Sequence, residues 1–90
     1  MYSWDERKNQ VNLQKHGISF EDARDYVFEG KNILVSEVAY DKGESRHAVI
    51  GKCRGKYYVG IFTLTQQGVR IISVRRARHE EQKQAEEKGI

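Results

Sequence analysis

Residues 46–76 read RHAVIGKCRGKYYVGIFTLTQQGVRIISVRR, and this stretch decides the fold. Three largely apolar runs alternate with two short segments, 54–56 and 66–68, whose glycines are typical of hairpin turns. The middle run is apolar at odd and even positions alike, which is typical of a strand at the centre of a sheet. The stretch therefore predicts three antiparallel strands, at residues 46–53, 57–65 and about 69–76.

A further strand is predicted before this stretch, because residues 33–40 alternate with a period of two. Residues 41–44 (DKGE) are typical of the turn that joins it to the next strand. Residues 2–4 are compatible with a short strand at the start of the chain. We therefore expect an α+β fold built on a mainly antiparallel sheet of four strands.

Two helices are predicted ahead of the sheet. Asp5 is a typical N-cap residue for a first helix that ends at His16, and Gly17 suits the left-handed position after it. Ser19 is placed to cap the amide three residues later and begin a second helix, which Gly30 closes. We expect both helices to pack across one face of the sheet.

A C-terminal helix is predicted from about Arg78 to Lys88. Its sequence is strongly charged, and Ala85 is the one apolar residue inside it. Such a helix has little apolar surface to bury, so we expect it to be a poor core element that shifts when a partner binds.

Composition restricts the class of protein. Ninety residues predict one domain, 1–90, with a single core. The single Cys53 cannot form an intrachain disulfide, which is typical of a reducing compartment. The start of the chain lacks the apolar core of a signal peptide, and the longest apolar run is too short to span a bilayer. We therefore expect a cytoplasmic protein that does not associate with membranes.

The charges are strongly segregated along the chain. Residues 42–78 carry nine basic side chains and one acidic one, a net charge of +8, whereas the whole chain carries +3. A cationic sheet of this kind favours a polyanion or an acidic protein as partner. Basic residues also protect edge strands from aggregation, but that role seldom requires so one-sided a run.

The residue types also restrict the chemistry. The sequence contains neither paired cysteines nor a two-histidine helix motif, so we expect no metal site and no cofactor. RNA cleavage needs no metal, because the 2′-hydroxyl can attack its own phosphate if a base takes the proton and cations stabilise the phosphoryl oxygens. Arginine suits the second task. A regular fourth strand would place Arg70 and Arg76 on one face and Arg75 on the other.

The candidate site residues fall into two groups. The predicted catalytic residues are Arg70, Arg75, Arg76, His79 and Glu81. The predicted RNA-binding residues are Arg46, Lys52, Arg54, Lys56 and Tyr57, since basic and aromatic side chains together suit single-stranded nucleic acid. Proton transfer is open to four side chains, namely Lys52, Lys56, His79 and Glu81, and the sequence does not choose among them. Packing in the sheet is the alternative role for Tyr57, and His16 is interpreted as a structural residue at a helix end.

The chain resembles the BrnT family of bacterial toxins. The resemblance begins with Trp4, Asp5, Lys8, Asn12, Lys15, His16, Gly17, Phe20 and Ala23. It continues through Arg46, Gly51, Thr63, residues 70–77 (RIISVRRA) and Glu81. It implies a type II toxin of the RelE-like superfamily, with a compact α+β ribonuclease fold that arrests translation by cleaving RNA. It also implies a BrnA-type ribbon-helix-helix antitoxin that blocks the toxin and carries it to operator DNA.

One position departs from the family pattern. Family members commonly have a tyrosine one helical turn after the glutamate that corresponds to Glu81, and this chain has Ala85 there. RelE-like ribonucleases often use a late aromatic residue on the substrate base. The alternative function is therefore a catalytically weak or inactive module that binds RNA or only its antitoxin.

Overall fold

The computed structural model describes residues 1–41 and 44–90, together with the side chains of residues 1–35 and 44–90. Helices and strands follow in the order β1 (Tyr2–Ser3), α1 (Glu6–His16), α2, β2 (Asn32–Asp41), β3 (Glu44–Cys53), β4 (Lys56–Thr65), β5 (Gly68–Arg76) and α3 (His79–Glu87). Helix α2 is α-helical over Phe20–Asp22 and π-helical over Ala23–Phe28. Residues 42 and 43, in the middle of the turn expected at 41–44, lie outside the described residues.

Within the described residues, five strands form one mixed sheet in the order β1-β5-β4-β3-β2. Strand β1 is parallel to β5, with Tyr2 opposite Val69, and the other neighbouring strands are antiparallel. The α+β class and the central place of β4 are confirmed. The sheet has one strand more than the expected four, and this fifth strand is β1, which agrees with the short strand that residues 2–4 allow.

The caps of the N-terminal helices are those that the sequence predicts. The Asp5 side chain accepts hydrogen bonds from two amides of the first turn of α1, and Gly17 ends that helix with φ 72°. The Ser19 hydroxyl accepts from the Asp22 amide over 3.0 Å. Both helices lie on one face of the sheet, called the α2 face below.

Close packing holds α2 against the sheet. A Cβ atom at Gly60 would lie 2.7 Å from the ring of Phe28, and one at Gly51 would lie 3.1 Å from Val27. Glycine at both positions lets the helix lie closer than any side chain would allow. The core on this face contains Ile18, Phe20, Ala23, Val27, Val49, Cys53, Tyr58, Phe62, Ile71 and Val74.

Helix α1 is attached mainly through buried polar side chains. Asn9 accepts a hydrogen bond from the Phe20 amide over 2.8 Å. Asn12 donates to the Ile18 carbonyl and accepts from the Val74 amide, each over 3.0 Å. These side-chain amides satisfy backbone groups that would otherwise be buried without partners. They therefore fix α1 beside β5 with little apolar contact.

Helix α3 packs on the opposite face, called the α3 face. The apolar cluster there contains Ala48, Ile50, Tyr57, Val59 and Ala85, with Ile33, Val35, Ile61, Ala77 and Ile90 partly buried around it. The expectation that α3 contributes little to the core is confirmed, because Ala85 is the one buried residue of this helix. Within the described part of the chain, no helix is long and apolar enough to cross a bilayer.

Candidate active site

A β-bulge in β5 decides which arginines share a face of the sheet. Ile61 of β4 lies opposite Ser73, but the next residue, Phe62, lies opposite Ile71. Ile72 is therefore an extra residue that faces no single partner in β4. One extra residue interrupts the alternation of side chains along the strand. Two residues on opposite sides of the bulge that would share a face in a regular strand therefore point to opposite faces, and two that would point to opposite faces share one.

The bulge places Arg70 and Arg75 together on the α3 face. Arg70 lies opposite Thr63 and Arg75 lies opposite Val59, which belongs to the apolar cluster beneath α3. Thr63 and Val59 are four residues apart on the same strand, so they point to the same side. The prediction that Arg70 shares a face with Arg76, opposite Arg75, is therefore wrong. It assumed a strict period of two along the whole strand.

Arg76 lies on the α2 face. It is directly opposite Tyr58, and its guanidinium lies 5.7 Å from the centre of the Tyr58 ring. Tyr58 itself is buried in the core of that face. Arg76 is exposed, and it is separated from Arg75 by the thickness of the sheet.

Strand β3 adds Arg46 to the α3 face. The following residue, His47, stacks on Phe62 on the α2 face, with ring centres 5.4 Å apart, so Arg46 points to the other side. Arg46 is partly buried. Thr63 of the neighbouring strand is also fixed on this face, because its hydroxyl donates to the Ser45 carbonyl over 3.0 Å.

Three arginines on the α3 face, Arg46, Arg70 and Arg75, are called the arginine cluster below. All three are partly buried. The residues opposite Arg70 and Arg75 are four positions apart on β4, so the two backbones are separated by roughly 13 Å. A row of cations of this length suits an extended polyanion better than one isolated phosphate.

Glu81 of α3 holds Arg75 in a fixed orientation. The two guanidinium nitrogens Nη1 and Nη2 donate to the two carboxylate oxygens of Glu81, each over 2.8 Å. The same carboxylate accepts from the Arg78 amide over 2.8 Å at the start of α3. The side chains of Arg75 and Glu81 are 27% and 25% exposed, so solvent screens this pair less than a surface pair. The pair therefore joins α3 to β5.

This pairing also sets the protonation of Glu81. The hydrogen bonds from Arg75 lower the pKa of Glu81 below its ordinary value, and the Arg78 amide lowers it further. Glu81 also raises the pKa of the Arg75 guanidinium. A carboxylate of lowered basicity is a poor proton acceptor, so Glu81 is better suited to positioning Arg75 than to acting as a general base.

His79 is exposed at the first position of α3. It lines one shallow depression together with Arg78, Glu80 and Glu81. His79 and the glutamate that holds Arg75 thus border the same depression. Among the residues that the structure describes, no three His, Cys, Asp or Glu side chains are grouped so as to hold a metal ion.

The β3–β4 hairpin contributes Lys52 to the α3 face. Lys52 lies opposite Tyr57, and its Nζ is 5.0 Å from the centre of the Tyr57 ring. Tyr57 is only 7% exposed, and its hydroxyl donates to the Ile90 carbonyl over 2.8 Å. The ring of Tyr57 is therefore part of the core in this structure, and it offers little open surface for stacking on a base.

Arg54 of the same hairpin turns to the α2 face. Its Nη1 is 2.9 Å from Oδ2 of Asp22, and its guanidinium lies 5.6 Å from the ring of Tyr26. Lys56 is exposed beside the turn. The predicted basic hairpin is thus divided between the two faces of the sheet, with Lys52 on the α3 face and Arg54 on the α2 face.

Thr63 was not among the predicted site residues, although it lies opposite Arg70 on the α3 face. Its place follows from the register of β4 and β5, which depends on the bulge at Ile72. No residue pattern in a single sequence marks that bulge. In the sequence, Thr63 contributes only to the family resemblance.

Comparison with protein families agrees with the resemblance seen in the sequence. The family model described as "Ribonuclease toxin, BrnT, of type II toxin-antitoxin system" matches residues 4–81. Among curated proteins, none matches this chain at a significant level. The family match covers most of the chain, including β5 and the residues that join it to α3. This chain therefore belongs to the BrnT family of ribonuclease toxins of type II toxin–antitoxin systems.

Proposed function

We propose that this chain is an endoribonuclease that binds RNA across the α3 face and cleaves it without a metal ion. The observation that carries the proposal is the bulge at Ile72, because it brings Arg70 and Arg75 to the same face as Arg46. The matched family consists of ribonuclease toxins, which supports the same activity. We further propose that the cleavage takes place in the cytoplasm, through one domain, and arrests translation.

The arginine cluster is proposed to bind the phosphates. Guanidinium groups remain charged at all physiological pH values and bind two oxygens at once, so they stabilise the negative charge that develops on a phosphoryl group under attack. Arg75 is already oriented by Glu81 before substrate binds. A donor fixed in advance requires little reorganisation during the reaction, which is the condition for strong electrostatic catalysis.

His79 is proposed to transfer the protons during RNA cleavage, beginning with the proton of the 2′-hydroxyl. Arginine does not release its proton, and Glu81 is engaged by Arg75. An imidazole is well suited to proton transfer near neutral pH, and His79 lies in the depression at the start of α3. Lys52 and Lys56 are proposed to bind flanking phosphates, and Lys52 lies on the required face.

The alternative function is a weak or inactive module that binds RNA or the antitoxin. Ala85 favours it, because this position is completely buried between α3 and the sheet and supplies no ring to a substrate base. Membership of a type II family implies an antitoxin partner in either case. We propose that this partner is a BrnA-type ribbon-helix-helix protein and that the toxin reaches operator DNA only through it.

The proposed function is tested with purified protein and end-labelled RNA, with and without a chelator. We expect cleavage in both conditions, with fragments that end in a 2′,3′-cyclic phosphate or a 3′-phosphate, because the 2′-hydroxyl is the nucleophile. Binding without cleavage would support the alternative function. Cleavage that a chelator abolishes would contradict the metal-independent mechanism.

A further inference from the structure

A second cationic surface lies between α1 and the outer edge of β5. The groove has a volume of about 350 Å³. It is lined by Arg7, Lys8, Val11, Asn12, Lys15, His16, Ile72 and Ser73. None of these residues belongs to the arginine cluster or to the depression at the start of α3. The groove is therefore distinct from the arginine cluster, although its residue Ser73 lies between Arg70 and Arg75 along β5.

The rim of the groove is basic although the N-terminal part of the chain is not. Residues 1–41 carry a net charge of −3, but the charged side chains that line the groove are all of the basic type. Arg7, Val11 and Lys15 are spaced by four residues and so lie along one side of α1. The one acid of this helix, Glu6, instead accepts hydrogen bonds from Trp4, Asn9 and Gln10.

The side of the groove formed by α1 contains an apolar residue that the core does not use. Val11 is 55% exposed, while the buried positions of α1 are the polar residues Asn9 and Asn12. This reverses the usual arrangement, in which a helix buries its aliphatic residues and exposes its polar ones. Ile72, the extra residue of the bulge, provides partly buried apolar surface on the strand side.

We infer that this groove binds an acidic, amphipathic segment of the antitoxin. Carboxylates of the segment would pair with Arg7, Lys8 and Lys15, and an apolar side chain would contact Val11 and Ile72. The groove suits a peptide better than single-stranded RNA, because Val11 and Ile72 offer it aliphatic surface, whereas His16 is the one aromatic side chain among the described residues that line it. The inference rests on the protein partner that a type II family implies, and it is independent of RNA cleavage.

The test compares two charge-reversal variants of the full chain in binding to the cognate antitoxin. The groove variant carries Arg7→Glu and Lys15→Glu. The matched control carries Lys31→Glu and Lys83→Glu, which change the net charge equally at exposed positions outside the groove. A third variant, Val11→Glu, places a charge among the apolar residues. Affinity is measured by titration calorimetry, RNA cleavage is measured in parallel, and thermal unfolding checks that all variants fold.

The inference requires that the groove variant and Val11→Glu each weaken antitoxin binding about tenfold or more relative to the control, with RNA cleavage unchanged. Equal affinity of the groove variant and the control would overturn it. A loss of RNA cleavage with unchanged antitoxin affinity would also overturn it and assign the groove to RNA. A wild-type chain that does not cleave RNA would refute the proposed function alone, because the affinity comparison does not depend on cleavage.

Discussion

The two faces of the sheet are built in different ways. On the α2 face, helix α2 presses against glycines of the sheet, and Phe20, Ala23 and Val27 are completely buried. On the α3 face, one short helix is attached through Ala85 and through the pair of Arg75 with Glu81. The closely packed core beneath α2 has no room for a ligand. We therefore expect the α2 face to contribute most of the stability of the fold. The α3 face keeps partly buried cations available for function.

The largest expected difference concerns stability. Phe20→Ala should lower the free energy of unfolding by about 3–5 kcal/mol, because it leaves a cavity in a completely buried site. Ile61→Ala, at a partly buried position on the α3 face, should cost about 1–2 kcal/mol. Urea unfolding of both variants measures the difference. Equal losses would show that the two faces contribute alike to stability.

A smaller effect is expected from the pair that joins α3 to β5. Glu81→Gln should lower stability by about 1–2 kcal/mol at neutral pH, because Arg75 loses a charged acceptor. The pKa of Glu81 is lowered by folding, so the carboxylate stabilises the fold above its ordinary pKa of 4.5, and this contribution disappears as the pH falls through the lower folded value. The stability difference between wild type and variant should therefore shrink in acid. Unfolding at pH 7 and in acid checks this, and a difference that does not change with pH would rule out the proposed electrostatic origin.

The smallest effect is expected at Arg54, which has a positive φ of 52° in the turn before Gly55. Asparagine tolerates this conformation and the ion pair with Asp22 is exposed, so Arg54→Asn should leave stability nearly unchanged. RNA affinity should also change little, because Arg54 lies on the α2 face. Lys52→Gln, on the other face, serves as the comparison. A larger loss of RNA affinity in Arg54→Asn than in Lys52→Gln would indicate that RNA binds the α2 face and would contradict its assignment to the α3 face.

Local sequence signals predict much of this fold because their causes are local. Asp5, Gly17 and Ser19 act within one helical turn, and the apolar run of β4 reports burial on both faces. The face of each arginine in β5 could not be predicted in this way. It depends on one extra residue, Ile72, whose effect is visible only in the pairing with β4.

The candidate site shows the same limit. The sequence predicts the types of residue that act on RNA, and the charge pattern predicts the part of the chain that carries them. The pairing of Arg75 with Glu81 depends on where α3 meets the sheet, and so does the burial of Tyr57. The groove on α1 was not predicted, because the net charge of residues 1–41 conceals a basic side of one helix.

The most direct test of the central claim compares Arg70→Ala with Arg76→Ala in RNA cleavage. The two residues are of the same type on the same strand, but the bulge places Arg70 on the α3 face and leaves Arg76 on the α2 face. We predict that Arg70→Ala lowers the cleavage rate by about 10² to 10³, as expected for the loss of a charged donor to the reacting phosphate, whereas Arg76→Ala stays within a few-fold of wild type. Equal losses in the two variants, or a larger loss in Arg76→Ala, would contradict the assignment of RNA cleavage to the α3 face.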